Sequence, residues 1–515
     1  MKNAILILLL CPVVLFGGQL KQIRKESQAE YTSTTNLLEY HAVRSDRDGL
    51  ALSVSQEKPK PMSPGEFDAS INRMFDEAER WSAGQFRVDD KSSKQTVKIL
   101  IHIHGGLNNW DDTINRMSLV PSIMSETKES DRYYPIFFSW PSEFMGSYGE
   151  HLVRIRQGNR VNVGFSIITT PFVLVTDLAK GLVNMPTAWG RQVANIKDRL
   201  IYNKSIENPK GWLSRNYKMA QYNVLHLGKG TSDNFDIITG SSTNAEGIVY
   251  ERYVAGILTT PIKATLGTWG QGQMTADAWK VMTRRTQNVF YPPDQFEMLS
   301  GGKPGKQRLA THVSAGRFFE LLVGRINEHT NLQYKVTFVG HSMGTMVLNH
   351  LFSTQRSALV DANAIDNIIY MGAACSVIDA IQTLDPLMES YGTNKPPQFY
   401  NLTLHPLAEM SEEMFPEKWP AGILPAGSLL HLIDTHLESP NTPLDRTLGS
   451  QVNVMSSIEA FNRIKANCHF KGFDFVPGVL PTRHGDFSKS PFWQEDFRSA
   501  KRFDQLPEHI LKKMK

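Results

Sequence analysis

Gly340-His341-Ser342-Met343-Gly344 is the segment of this 515-residue chain whose residue types and spacing most directly describe a reaction. In G-x-S-x-G a serine hydroxyl becomes a nucleophile where a strand turns sharply into a helix. The serine holds a strained backbone conformation, and side chains two residues to either side would collide. The flanks fit that context: Tyr334 to Val339 reads as a strand, and Thr345 to Phe352 as a helix. Such a turn lifts the Ser342 hydroxyl clear of the sheet. It also aims the Met343 N–H, at the start of the helix, toward the oxygen that gains charge when a carbonyl is attacked.

A serine is a poor nucleophile without a base. Where this turn ends a strand of a parallel sheet, the chain order is nucleophile, acid, histidine. His484, in Arg483-His484-Gly485-Asp486-Phe487, follows every strand candidate and is the expected base. His405, His431 and His436 come before the last strand, and His469 lies inside it, in Cys468 to Phe475. The orienting acid should follow a strand between Ser342 and His484. Glu409, after Phe399 to Leu404, is the first choice. Asp379, after Asn367 to Met371, and Asp434, after a short run Leu429 to Ile433, stay open, with Asp445 or Asp474 behind them. An ordinary histidine base predicts activity that rises with pH through about 6–7.

His104-Gly105-Gly106 ends the β-branched run Val97 to Ile103, and the Gly105 and Gly106 N–H groups fit the second half of an oxyanion hole. His102 and His104 share one face of that strand, which raises metal binding. An H-x-H start of that kind continues with an Asp-His pair, whereas Gly105, Gly106, Leu107 and Asn108 follow here. The expectation is therefore no metal and no organic cofactor.

Around these motifs, strands alternate with helices, which argues for a mostly parallel central sheet covered on both faces. Residues 1–18 read as a signal peptide or membrane anchor: Lys2, then an apolar run from Ala4 to Phe16, too short to span a bilayer. Residues 19–92 read as a loosely ordered arm and one helix. Ser63-Pro64-Gly65-Glu66 starts that helix, and Phe67, Ile71, Met74, Phe75 and Ala78 make its apolar face. The core resumes over 93–142, with a strand at Pro135 to Trp140. It breaks for a helical cap or lid over 143–306 with no clear strand succession, and closes over 307–515. Within the cap, Val161 to Thr176 is apolar but interrupted by Pro171, and reads as a cap helix or as a lid that meets acyl chains.

Three cysteines cannot build a disulfide framework, and only a Cys375–Cys468 bridge is arithmetically open. Net charge is +4, from 55 basic and 51 acidic residues, so no concentrated basic face speaks for nucleic acid. Hydrophobic residues at 41% support a packed core. Asn203-Lys204-Ser205 and Asn401-Leu402-Thr403 match glycosylation sequons, and Gly228-Lys229-Gly230 reads as a turn.

At HGG 104–106, GHSMG 340–344 and RHGDF 483–487 the chain resembles the α/β-hydrolase superfamily of esterases and lipases. Phe138-Ser139-Trp140-Pro141-Ser142 is similar to an F-S-W-P-S stretch of bacterial members. The likeness covers roughly 95–145 and 310–490. It implies an α/β-hydrolase fold with a large helical cap insertion, and hydrolysis of a small-molecule or lipid ester by Ser342, His484 and an acid. Acyl transfer, thioester cleavage, or a silent envelope scaffold are the alternatives. Location in the cell envelope or outside it, with contact to a membrane surface, is the matching expectation.

Overall fold

The computed structural model describes residues 37–54, 59–85, 94–108, 110–156, 273–290, 314–404, 427–438, 440–473 and 481–498, with shorter stretches between 159 and 238 and at 408–412. The leader at 1–18, the sequon at Asn203, the turn at 228–230, His405 and Asp474 lie outside them. The strands in chain order are β1 (Ala42–Ser45), β2 (Ala51–Leu52), β3 (Gln95–Ile103), β4 (Tyr134–Ser139), a small hairpin of β5 (Ile155–Arg156) and β6 (Asn159–Arg160), β7 (Asp236–Ile238), β8 (Leu332–His341), β9 (Ile365–Met371), β10 (Gln398–Thr403) and β11 (Cys468–Gly472). Nine of these form one sheet in the order β2-β1-β4-β3-β8-β9-β10-β11-β7. Only β1–β2 is antiparallel; the other seven pairings are parallel.

Parallel strands covered on both faces need near-continuous apolar sequence. Val97, Ile99, Leu100, Ile101 and Ile103 of β3, and Val336, Phe338 and Val339 of β8, supply it; all are buried. The helices Pro64–Gln85 and Ser314–Glu328 pack against each other on one side, joined by Arg317–Asp68 and Arg325–Glu79 ion pairs. The first begins as its sequence predicts: the Ser63 N–H donates to Glu66 Oε2 at 2.8 Å, and Phe67, Ile71, Met74, Phe75 and Ala78 are buried. This is the α/β-hydrolase fold.

Chain order decides where a site can form. From β3 the chain moves outward to β4 and later returns to the other side of β3 as β8. That reversal opens a crevice at the carboxyl ends of β3 and β8, the usual place for a ligand in such sheets. The register pairs Ile103 with Gly340, so the turns 104–108 and 340–344 leave the sheet side by side.

Several expectations need correction. Leu429 to Ile433 is not a strand: Leu429–Leu432 is a helical turn capped by Ser428, which accepts from the His431 N–H, and it runs on as a π-turn, Ile433–Leu437. Four apolar residues around one histidine suit either element, and the cap decided it. The arm is not loosely ordered throughout, because β1 and β2 extend the sheet beyond β4. Segment 143–306 contains strands, β5, β6 and β7, the last pairing with β11 at the far edge. Nor is its end apart from the core: the helix Gln273–Asn288 packs Trp279 and Met282 into the main apolar cluster. Cys375 and Cys468 are free and buried, and burial pushes the Cys375 thiol up to about 12. Asn401 is fully buried in β10, so its sequon is closed in the folded chain.

Candidate active site

Ser342 follows β8 with φ 51°, in the left-handed region that a non-glycine residue occupies only at a cost. Its N–H donates to the Met371 carbonyl at 2.9 Å. Its own carbonyl takes the Thr345 hydroxyl at 2.7 Å and the Ala374 N–H at 3.1 Å. The helix Gly344–Thr354 starts at once, with Met343 as its N-cap. Gly344 is required by contact, since a Cβ there would lie 2.2 Å from the Ile103 carbonyl oxygen. Across the crevice, a Cβ on Gly105 would lie 2.6 Å from the Ser342 Cβ, so the two turns touch.

The turn at 104–108 is held by the stretch Ser139–Ser142. The Trp140 N–H donates to His104 Nε2 at 3.2 Å, and its indole N–H to the His104 carbonyl at 3.1 Å. His104 therefore carries its proton on Nδ1, 2.8 Å from the Gly105 carbonyl. Ser142 Oγ lies 3.0 Å from the same carbonyl, and the Ser142 carbonyl accepts from the Leu107 N–H. Asn108 Nδ2 donates to the carbonyls of Gly105 and Gly106, both at 3.0 Å, and Arg116 donates to Asn108 Oδ1 at 2.8 Å. With the carbonyls tied back, the N–H groups of Gly105, Gly106 and Met343 have no acceptor among the described residues. Such donors suit a developing oxyanion. Both nitrogens of His104 are spent on backbone groups, and the His102 ring packs between Phe137 and Phe492. Asn108→Ala should lower kcat by about tenfold to a hundredfold with KM little changed, because the donors lose their aim and the substrate does not lose its pocket. Steady-state kinetics on a soluble ester would check it, and an unchanged kcat would refute the clamp.

His484 opens a short 3-10 helix, His484–Lys489, whose start is fixed by Asp486 accepting from the Arg483 N–H at 2.9 Å. Its ring lies tilted against His341 at 5.1 Å between centroids, and its carbonyl accepts from His341 Nε2 at 3.0 Å. It also lies over Gly372, next to the Met371 that binds Ser342. Ser342 and His484 thus both lie beside the Met371–Gly372 turn, and both are buried. In this resting arrangement, however, neither Ser342 Oγ nor either ring nitrogen of His484 has a hydrogen-bond partner among the described residues.

None of the described candidate acids hydrogen-bonds the imidazole. Glu409 is fully buried and accepts from Ser450 Oγ at 2.9 Å. Ser450 adjoins Gly449, whose N–H donates to the Ala373 carbonyl beside Gly372. Asp434 is committed elsewhere: it accepts from the Thr447 N–H, the Thr447 hydroxyl and Asn453 Nδ2. Asp379 lies in the first turn of the helix Val377–Ser390, and Asp445 caps a turn with Thr442. The carboxylate that does meet His484 is Glu412, which accepts its backbone N–H at 2.9 Å. Burial pushes Glu412 up to about 7, against the opposing pull of that hydrogen bond. Sequence reading missed Glu412, although it stands one helical turn after Glu409.

Burial also pulls His484 down to about 4 and His104 to about 3, and holds His102 and His341 well below the ordinary range. The expected rise in activity through pH 6–7 is thereby corrected: His484 is neutral, and able to accept a proton, well below pH 6. Gly106 is packed by two buried core methionines: a Cβ there would lie 2.7 Å from Met343 Sδ and 3.0 Å from Met282 Cε. At 166–183, Ile168, Phe172, Val175 and Val183 leave apolar side chains exposed. Among the described residues no helix is long and apolar enough to cross a membrane.

The family model of lecithin:cholesterol acyltransferase matches residues 307–449. That span holds β8, β9 and β10, Ser342, Glu409 and Glu412, and ends before His484. No curated protein and no solved structure matches the chain.

Proposed function

We propose that the protein is a serine-dependent hydrolase of carboxylic esters, with a lipid or other long acyl ester as substrate. The observation that carries this reading is Ser342, strained at φ 51° in the β3/β8 crevice and abutting a glycine turn with unspent N–H donors. Ser342 Oγ attacks the carbonyl carbon and its proton passes to His484. The N–H groups of Gly105, Gly106 and Met343 hold the oxyanion. Collapse breaks the ester bond; the departing alcohol takes the proton from His484, and water then cleaves the acyl-serine. Glu409 fixes the imidazole tautomer once the ring turns from its resting place against His341, while Glu412 anchors the loop through the backbone. The exposed apolar residues Ile168, Phe172, Val175 and Val183 favour an acyl chain over a compact polar ester. They also suit contact with a membrane surface, in keeping with the exported location expected of the leader.

A second reading replaces water by an acceptor alcohol, and the lecithin:cholesterol acyltransferase match favours it. Both share the acyl-enzyme. A fluorophosphonate probe should label Ser342 in the wild type and leave Ser342→Ala unlabelled; no labelling of the wild type would reject the reading. Glu409→Ala should lower kcat by about a hundredfold or more, and Glu412→Ala by less. Near-wild-type turnover in Glu409→Ala would move the acid role away from that residue. Supplying phospholipid vesicles with and without a sterol, and separating fatty acid from sterol ester, distinguishes hydrolysis from transfer.

A further inference from the structure

Apart from this crevice, a second cluster of chemically active side chains is buried where three helical segments meet. His151 lies on the helix Phe144–Val153, Asp177 ends the helical residues 168–177, and Asp277 lies on Gln273–Asn288. All three residues are buried. His151 Nε2 is 3.1 Å from Asp177 Oδ2 and 3.9 Å from Asp277 Oδ2. One ligand atom from each residue lies within 4.8 Å of the others.

We propose that His151, Asp177 and Asp277 bind one divalent transition-metal ion, with zinc the best chemical match, which ties the three helical segments together. Zinc takes imidazole nitrogen and carboxylate oxygen at about 2.0–2.2 Å, so tetrahedral ligands stand roughly 3.3–3.6 Å apart. The two measured edges of the triangle bracket that spacing and need only small side-chain movements. A neutral imidazole with two carboxylates matches the charge of a dication. With Asp177 held through both oxygens, the three residues supply four donor atoms.

A separate observation points to a missing ligand. Asp177 is 1% exposed, and its Oδ1 has no hydrogen-bond partner among the described residues. A buried carboxylate oxygen without a donor is costly, and a cation held by both oxygens would satisfy it. The nearby ammonium groups do not fill the role. Lys180 Nζ approaches Asp177 Oδ1 only to 3.6 Å and Lys280 Nζ approaches Asp277 Oδ1 at 3.5 Å, both on side chains that are about half exposed or more. They address the outer oxygens, whereas the inner ones face His151. Tyr148 orients the cluster, its hydroxyl 3.5 Å from Asp177 Oδ2 and its ring stacked on His151. Burial, then the Asp177 charge, raises the Tyr148 phenol above its ordinary range, so it stays a donor.

The test uses the untagged full chain, stripped with chelator and titrated with zinc chloride by calorimetry, with the unfolding temperature followed in parallel. The expected result is one zinc per chain and a higher unfolding temperature. Asp277→Asn and His151→Gln should each weaken binding by about tenfold or more. Lys280→Met should bind zinc at least as well as the wild type, because a competing cation is gone. Cobalt should give the visible absorption of a four- or five-coordinate nitrogen and oxygen site in the unmutated protein, a readout that survives a variant failing to fold. Absence of binding by the wild type overturns the proposal. So does unaltered zinc affinity in Asp277→Asn. Loss of stability in Lys280→Met, together with no zinc binding by the wild type, would assign the cluster to ion pairing alone.

Discussion

Ser342→Ala is expected to reduce kcat/KM on an ester substrate by about ten-thousandfold or more, while the protein stays folded and still binds substrate. The size of the effect follows from covalent catalysis: without Oγ there is no acyl-enzyme, and what remains is the oxyanion donors and binding. His484→Ala should cost nearly as much, and the double variant hardly more than either single one, because a nucleophile and its base act as a unit. Additive losses would show that the two residues serve different steps, and the proposed chemistry would fail. Ser342→Gly separates activity from stability. It is equally inactive, yet it relieves a positive φ that costs on the order of 1 kcal/mol. It should therefore unfold at a higher temperature than Ser342→Ala, as thermal denaturation would show.

The second large effect is acid lability. Burial lowers His41, His350 and His484 to about 4 and His104 to about 3, and holds His102 and His341 well below 6.5. The native state keeps these rings neutral, whereas the unfolded chain protonates them near their ordinary 6.5. Stability is therefore complete above about pH 6.5 and falls as pH drops from there toward 4, where each ring at about 4 has cost on the order of 3 kcal/mol. Glu412, raised to about 7, acts in the opposite sense, since its native proton favours folding as pH falls through 7 to 4.5. Asp434 and Glu438, also raised by burial, act the same way, yet three carboxyls do not offset six imidazoles. Unfolding at pH 5 should take up about three protons or more, measurable by calorimetry in buffers of different ionisation heat. An unfolding temperature unchanged between pH 7.5 and 5 would contradict this. His102 isolates the effect: neither ring nitrogen has a partner, and the ring lies against Phe137 and Phe492. His102→Leu should gain stability at pH 5 relative to pH 8. Because His484 stays neutral over the same range, activity below pH 6 should track the folded fraction rather than a base ionising near 6.5.

Much of the frame was legible in local sequence. Strands β3, β4, β8, β9 and β10 announce themselves because a strand buried on both faces must be apolar throughout. The helix at Pro64 is legible because its capping box lies within four residues. Ser342 is legible because a strained turn between packed elements restricts its neighbours to glycine. Short edge strands and the helical turn at 429–432 are not, since two to five residues carry no period.

What local sequence could not supply was pairing between distant side chains. The path from β3 out to β4 and back to β8 set Gly105 against Ser342, and only folding showed that Trp140, Ser142 and Asn108 hold that turn. Burial, a property of the whole packed molecule, moved His484 and Glu412 from their ordinary ionisation, and placed Glu412 on the base loop and Glu409 against Ser450. Residue types thus determined which chemistry the chain can attempt. Tertiary packing decided which groups meet and in what charge state, because distance and solvent exclusion are set by the fold as a whole.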